Sequence, residues 1–86
     1  MGINETVLEI EKFLLSYDGG PGKPVAVQVR PSGDDIDVIK IWIDLGPARA
    51  GVDPAAYERA ATAAIREALP GTEPFRLQVY AETDPG

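Results

Sequence analysis

Residues 35–45 read DIDVIKIWIDL, and this stretch decides how the rest of the chain is organised. Its apolar residues alternate, so that Ile39, Ile41 and Ile43 fall on one side while Trp42 falls on the other. A period of two is typical of a β-strand with one buried face and one exposed face. The sequence therefore predicts a half-buried strand whose isoleucines enter the core and whose single tryptophan points away from it.

Two further strands flank this one along the chain. Residues 25–30 (VAVQVR) alternate with valines on one side, and residues 31–34 (PSGD) have the composition of a hairpin turn. We therefore predict an antiparallel hairpin, followed by a loop at residues 46–52. A last strand is predicted at residues 75–80 (FRLQVY). Its inward side consists of Phe75, Leu77 and Val79.

A first helix is predicted ahead of the hairpin. Asn4 is its predicted N-cap, with Ile3 and Leu8 spaced as a hydrophobic staple, and the helix should end at residues 18–22 (DGGPG). Its core stripe has helical spacing and comprises Val7, Ile10, Leu14 and Tyr17, with Phe13 beside them. Leu8 and Leu15 form a second stripe, which indicates either the edge of a wide core face or a subunit contact.

A second helix is predicted between the hairpin and the last strand. Asp53 is a favourable N-cap, Pro54 suits the first helical position, and residues 69–71 (LPG) end the helix. Small residues dominate its predicted buried face, which allows close packing on a sheet. That face comprises Tyr57, Ala60, Ala61, Ala64, Ile65 and Ala68.

The predicted order is α-β-β-α-β, which defines a single α+β domain over residues 1–86, with an ordered core at about residues 4–82. The economical assembly is a three-stranded sheet with both helices packed on one face. A helix connects the hairpin to the last strand, so that strand can run parallel to one of the hairpin strands. The periodicity leaves the order of the strands open.

Composition limits the possible functions of this 86-residue chain. A domain of this size buries only roughly 60% of its unfolded surface, so self-association is plausible. The net charge is −6, from 14 acidic and 8 basic residues, which disfavours non-specific binding to nucleic acid or to an anionic membrane. There is no cysteine and no histidine, which excludes disulfides, thiolate nucleophiles, zinc sites of the usual kind and histidine-based catalysis. We therefore expect a protein that is not an enzyme and needs no cofactor.

Location is predicted from the apolar segments and the N-terminal residues. The opening residues 1–10 (MGINETVLEI) have no positively charged region of the kind that begins a signal peptide. No apolar run approaches the roughly 20 residues that span a membrane. These features predict a cytoplasmic protein without membrane insertion.

The side of the sheet that the helices leave uncovered is the candidate binding surface. Three of the eight basic residues fall there together with the tryptophan and one of three tyrosines. Aromatic residues mixed with arginine and glutamine are typical of protein interfaces. The predicted binding residues are Trp42, Tyr80, Arg30, Arg76, Lys40, Gln28 and Gln78, and Ala26, Val38 and Asp44 share their side.

Three interpretations of this surface are open. The first is contact with a protein, either a second copy or a larger partner, with Trp42 as the anchor. The second is single-stranded nucleic-acid binding by stacking on Trp42 and Tyr80, although the net charge opposes it and no RNP-like motif is present. The third is a solvated surface on which lysine and arginine stems lie along the tryptophan.

Two smaller features are candidate ion sites. Asp34, Asp35 and Asp37 offer carboxylates to a hard cation, which would make this a cation-binding regulatory domain. The spacing of an EF-hand is missing, and aspartate is also a favoured turn residue, so we predict no metal site. Residues 46–51 (GPARAG) precede a helix, where backbone N–H groups and Arg49 could hold an anion, but loop geometry explains the glycines equally well.

The chain from residue 27 to residue 85 resembles the C-terminal cytoplasmic domain of cation diffusion facilitator transporters. The stretches that carry the resemblance are VQVRPSGDDIDVIKIWIDL, VDPAAYERAATAAIREALPG and FRLQVYAETDP. The resemblance implies a metallochaperone-like fold that dimerises and binds metal through histidine and acidic residues. Since this chain has no histidine, fold and dimerisation carry over but no metal ligand does. A similar order of elements also occurs in alkaline shock proteins and, with an extra helix, in KH-like folds.

Overall fold

The isoleucine-rich strand lies in the middle of a three-stranded sheet. The structure is a computed structural model that describes residues 3–18, 24–33, 37–47 and 53–84. The order of elements is α-β-β-α-β, which confirms the prediction. The elements are α1 (Ile3–Leu15), β1 (Ala26–Pro31), β2 (Val38–Pro47), α2 (Pro54–Ala68), a 3₁₀ turn (Pro70–Thr72) and β3 (Arg76–Asp84).

The sheet is mixed, with the order β1-β2-β3. β1 pairs antiparallel with β2, so the predicted hairpin is confirmed, and Val29 lies opposite Ile41. β3 pairs parallel with β2, and Val79 lies on the other side of Ile41. Parallel neighbours need a crossover connection, which α2 provides. The strand order that the sequence left open therefore has β2 at the centre.

Both helices pack on one face of the sheet. Ile39, Ile41 and Ile43 are at most 1% exposed, and they belong to a single core cluster with residues of both helices. From α1 the cluster takes Val7, Ile10 and Leu14, and from α2 it takes Tyr57, Ala61 and Ile65. Phe75, Leu77 and Val79 pack against this cluster while remaining partly exposed, so the predicted inward side of the last strand is correct.

The helices differ from the prediction in α1 and agree with it at the start of α2. α1 already includes Ile3, so Asn4 lies inside the first turn and the prediction that it is the N-cap is wrong. Leu8 and Leu15 are 57% and 45% exposed, so they do not belong to the edge of the core. In α2 the predicted cap is confirmed, since Asp53 accepts a hydrogen bond from Ala55 N at 3.0 Å. Of the described helices, neither is long and apolar enough to cross a membrane.

The buried face of α2 is narrower than predicted. Tyr57, Ala61 and Ile65 are buried, whereas Ala60 and Ala68 are exposed. Ala64 is half-buried. The fully buried part of α2 is therefore the single stripe of Tyr57, Ala61 and Ile65, and Ala60 and Ala68 face solvent.

β2 extends to Pro47, into the loop that was predicted at residues 46–52. Pairing with β3 continues to Pro47 after an irregularity in register that follows Asp44. Gly46 makes this possible because its φ of +81° lies in the left-handed region, which disfavours other residues. A Cβ added at Gly46 would lie 2.8 Å from Cγ2 of Val25. Val25 precedes β1 and is 67% exposed, so its predicted place with the inward valines is wrong.

The connection between α2 and β3 is held by one arginine. Arg66, in the last turn of α2, donates from Nη2 to the backbone oxygen of Phe75 at 2.6 Å and from Nη1 to that of Thr72. The buried hydroxyl of Thr72 donates to Leu69 O at 2.8 Å. These bonds satisfy carbonyls where the helix ends and fix the direction in which β3 starts.

Candidate functional site

The side of the sheet opposite the helices is called the open face. It is formed by side chains that alternate with the core residues, and no described helix lies over it. The seven predicted binding residues all lie on it: Gln28, Arg30, Lys40, Trp42, Arg76, Gln78 and Tyr80. Ala26, Asp44 and Glu82 complete it, whereas Val38, which alternates onto the same side of β2, is only 4% exposed.

The centre of the open face is an aromatic pair. Trp42 and Tyr80 are register partners on β2 and β3, and their rings stack with centroids 5.9 Å apart and planes inclined by 24°. Tyr80 is 41% exposed and Trp42 is half-buried. The hydroxyl of Tyr80 donates to Oε1 of Gln78 at 3.2 Å, which orients the ring. The pair therefore presents a stacked aromatic surface at the centre of the open face.

One end of the open face is basic. Arg30 and Lys40 are register partners, and Arg76 lies further along on β3. Both arginines are exposed. With the Gln28 amide oriented so that its oxygen faces the guanidinium of Arg30, Arg30 donates to it from Nη2 at 2.6 Å and from Nε at 2.9 Å. The cations thus flank the aromatic pair on one side.

The other end of the open face is acidic. Asp44 and Glu82 are register partners immediately beyond the aromatic pair, and both are exposed. Asp44 also accepts a hydrogen bond from Gly46 N at 2.8 Å. A depression of about 310 Å³ lies here, lined by Gln28, Trp42, Asp44 and Glu82 among others. From end to end, the open face is basic, aromatic and acidic.

Glu82 is the residue of this face that the sequence interpretation missed. The strand was predicted to end at residue 80, with a polar tail after it, but β3 continues to Asp84. Extending the alternation by one more step from Tyr80 would have placed Glu82 on the open face. Because its pairing with Asp44 depends on a parallel register, the acidic end became visible only with the fold.

The predicted ion sites lie mainly outside the described residues. Asp34, Asp35 and Arg49 fall there, while Asp37 is described and exposed. Among the described residues, no group of three or more acidic side chains is arranged to hold a metal ion.

Comparison with known proteins identifies no family. No protein-family model matches the chain, and no curated protein or solved structure matches it. The class that the structure defines is a small α+β domain with the order α-β-β-α-β and an open mixed sheet.

Proposed function

We propose that this domain is a non-enzymatic interaction module that binds a protein through its open face. The observation that carries the proposal is the stacked pair of Trp42 and Tyr80 on a face that no described helix covers. Aromatic anchors surrounded by arginine and glutamine are the composition of interface centres. The partner is either a second copy or a larger protein.

The distribution of charge on the open face favours a protein partner over a solvated surface that binds nothing. Arg30, Lys40 and Arg76 lie together on a protein whose net charge is −6. Such a local excess of cations steers an oppositely charged surface toward the aromatic pair. The resemblance to the cytoplasmic domains of cation diffusion facilitators adds dimerisation in the cytoplasm to the proposal and adds no metal site.

The proposal is tested by a substitution that removes the ring of Trp42 and should leave the fold intact. Trp42→Ala should leave the far-UV circular dichroism nearly unchanged, because the ring lies outside the core cluster. The same variant should lose the oligomer mass seen by light scattering, or lose the proteins that wild type retains from native lysate. The matched control is Leu8→Ala/Leu15→Ala, which removes the exposed leucines of α1 and should bind as wild type does.

Two results would refute the proposal. If Trp42→Ala unfolds the domain, the ring has a core role. If the leucine double variant loses binding while Trp42→Ala keeps it, the contact lies on α1.

Single-stranded nucleic acid is the alternative ligand, since Trp42 and Tyr80 stack as bases and aromatic rings do in such complexes. This alternative requires that short single strands quench Trp42 fluorescence at low salt and that the quenching fades as salt rises. Unchanged fluorescence at low salt would exclude it. The acidic end at Asp44 and Glu82 and the net charge favour the protein partner.

A further inference from the structure

We infer that the partner of the open face is a second copy of this chain, placed face to face about a two-fold axis that crosses the strands at the aromatic pair. This inference rests on the proposed function and names its partner. Its basis is that the open face is complementary to itself in charge, with cations at one end and carboxylates at the other.

The direction of the axis follows from this arrangement. A two-fold axis that crosses the strands reverses their direction and keeps β2 over β2 of the second copy. Lys40 and Asp44 lie at equal distances on either side of Trp42 along β2, so Lys40 of one copy comes over Asp44 of the other. On β3, Glu82 of the second copy comes over Gln78, and Arg76 lies two positions further along, within reach of its long side chain. An axis along the strands would instead place like charges together.

The aromatic pairs meet at the centre of this arrangement. Trp42 and Tyr80 lie between the two charged ends, and the same rings of the second copy cover them. Burial of four rings supplies apolar area, while the charges at both ends fix the relative direction of the strands. Two sheets that pack face to face in this way form a sandwich with its layers about 10 Å apart.

The size of the contact predicts a weak dimer. Three strands about 4.8 Å apart make a face roughly 15 Å wide and about 20 Å long. Two such faces together cover about 600 Å² in projection, which is roughly half of the 1,200 Å² or more that stable interfaces bury in total. We therefore expect dimers that dissociate on dilution and that weaken as salt screens the charged ends.

A charge exchange tests the arrangement directly. Arg76→Glu brings two carboxylates together at positions 76 and 82 of the two copies, and Glu82→Lys brings two cations together there. Each side chain is exposed, so the variants should fold. Each variant alone should be monomeric at concentrations where wild type is dimeric. An equimolar mixture should recover the dimer mass, because positions 76 and 82 of the two copies then carry opposite charges again.

Matched controls separate this effect from net charge. Lys12→Glu and Glu9→Lys change the net charge equally but lie exposed on α1, so each should dimerise as wild type does. Sedimentation velocity over about a hundredfold range of concentration measures all five proteins and the mixture. Circular dichroism verifies that each variant is folded.

Three outcomes overturn the inference. These are a wild type that stays monomeric throughout, a mixture that fails to recover the dimer, and α1 controls that lose it as well. A monomeric wild type that still binds a larger protein through Trp42 would refute the second copy and leave the proposed function standing. If neither the oligomer mass nor the binding of a partner changes in Trp42→Ala, both this inference and the proposed function are refuted.

Discussion

Glu58 on α2 accepts a hydrogen bond at 2.8 Å from the backbone N–H of Ala81 in the edge strand β3. The strand order leaves one side of β3 without a strand neighbour among the described residues, so the bond satisfies a donor at the sheet edge. It joins residues 23 positions apart in the chain and fastens the crossover helix to the strand that follows it.

Replacing Glu58 tests that link. Glu58→Ala should lower the free energy of unfolding by about 1–2 kcal/mol, because it leaves the Ala81 N–H without its partner. Glu58→Gln keeps a side-chain oxygen and should lose less. Urea denaturation followed by circular dichroism measures both, and an unchanged free energy of unfolding for Glu58→Ala would contradict a stabilising role of this bond.

Gly46 should tolerate no side chain. Its φ of +81° and the 2.8 Å approach of Val25 Cγ2 to an added Cβ both oppose substitution. Gly46→Ala should cost about 1–3 kcal/mol in unfolding free energy. The double variant Gly46→Ala/Val25→Ala should recover only the part of this loss that comes from the contact with Val25, because the unfavourable φ remains. Gly71→Ala is the control, since nothing lies within 4 Å of its added Cβ, and a comparable loss there would contradict the explanation.

Lysine should not fully replace Arg66 at the end of α2. Its guanidinium donates to two carbonyls, of Thr72 and Phe75, which a single lysine ammonium does not reproduce in the same planar geometry. Arg66→Ala should destabilise the domain by about 1–3 kcal/mol, and Arg66→Lys should recover only part of this. Arg59→Ala, at an exposed position of the same helix, serves as the control and should be near neutral in thermal unfolding.

Tyr57→Phe should make the domain more stable. The Tyr57 hydroxyl is buried and has no hydrogen-bond partner among the described residues, so its removal should add about 1 kcal/mol to the unfolding free energy. Burial, and secondly the charge of Tyr17, raises the pKa of Tyr57 above its ordinary value.

The raised pKa of Tyr57 also makes the stability of the domain depend on pH. The folded domain holds the Tyr57 proton more tightly than the unfolded chain does. The resulting stability is complete below about pH 10, the ordinary tyrosine pKa, and is lost as pH rises through the raised value. Urea titrations between pH 8 and pH 11 should therefore show a smaller alkaline loss for Tyr57→Phe than for wild type. Parallel curves would contradict the assignment.

Periodicity was sufficient to predict the elements and the two faces of the sheet. Strict alternation around Trp42 separates the isoleucines from the open face, and the Asp53-Pro54 pair carries its own start signal for α2. These features depend on neighbours in sequence, which is why they could be predicted.

Features that depend on distant residues could not be predicted in this way. Which edge of the hairpin accepts β3 is decided by the packing of α2, and no local pattern encodes it. The bond from Glu58 to Ala81 and the pairing of Asp44 with Glu82 both follow from that choice. The left-handed Gly46 and the extension of β2 to Pro47 also depend on a partner strand.

The central position of β2 has a consequence for folding kinetics. Only residues 32–37 separate β2 from its antiparallel neighbour β1, whereas its parallel neighbour β3 can pair only after α2 has crossed the sheet. Loop-closure entropy makes the first pairing fast and the second slow. If the hairpin belongs to the folding nucleus, substitutions in β1 will slow refolding, while substitutions in β3 will chiefly accelerate unfolding. The lifetime of the native state would then be set at β3, the strand that carries Tyr80 and Glu82.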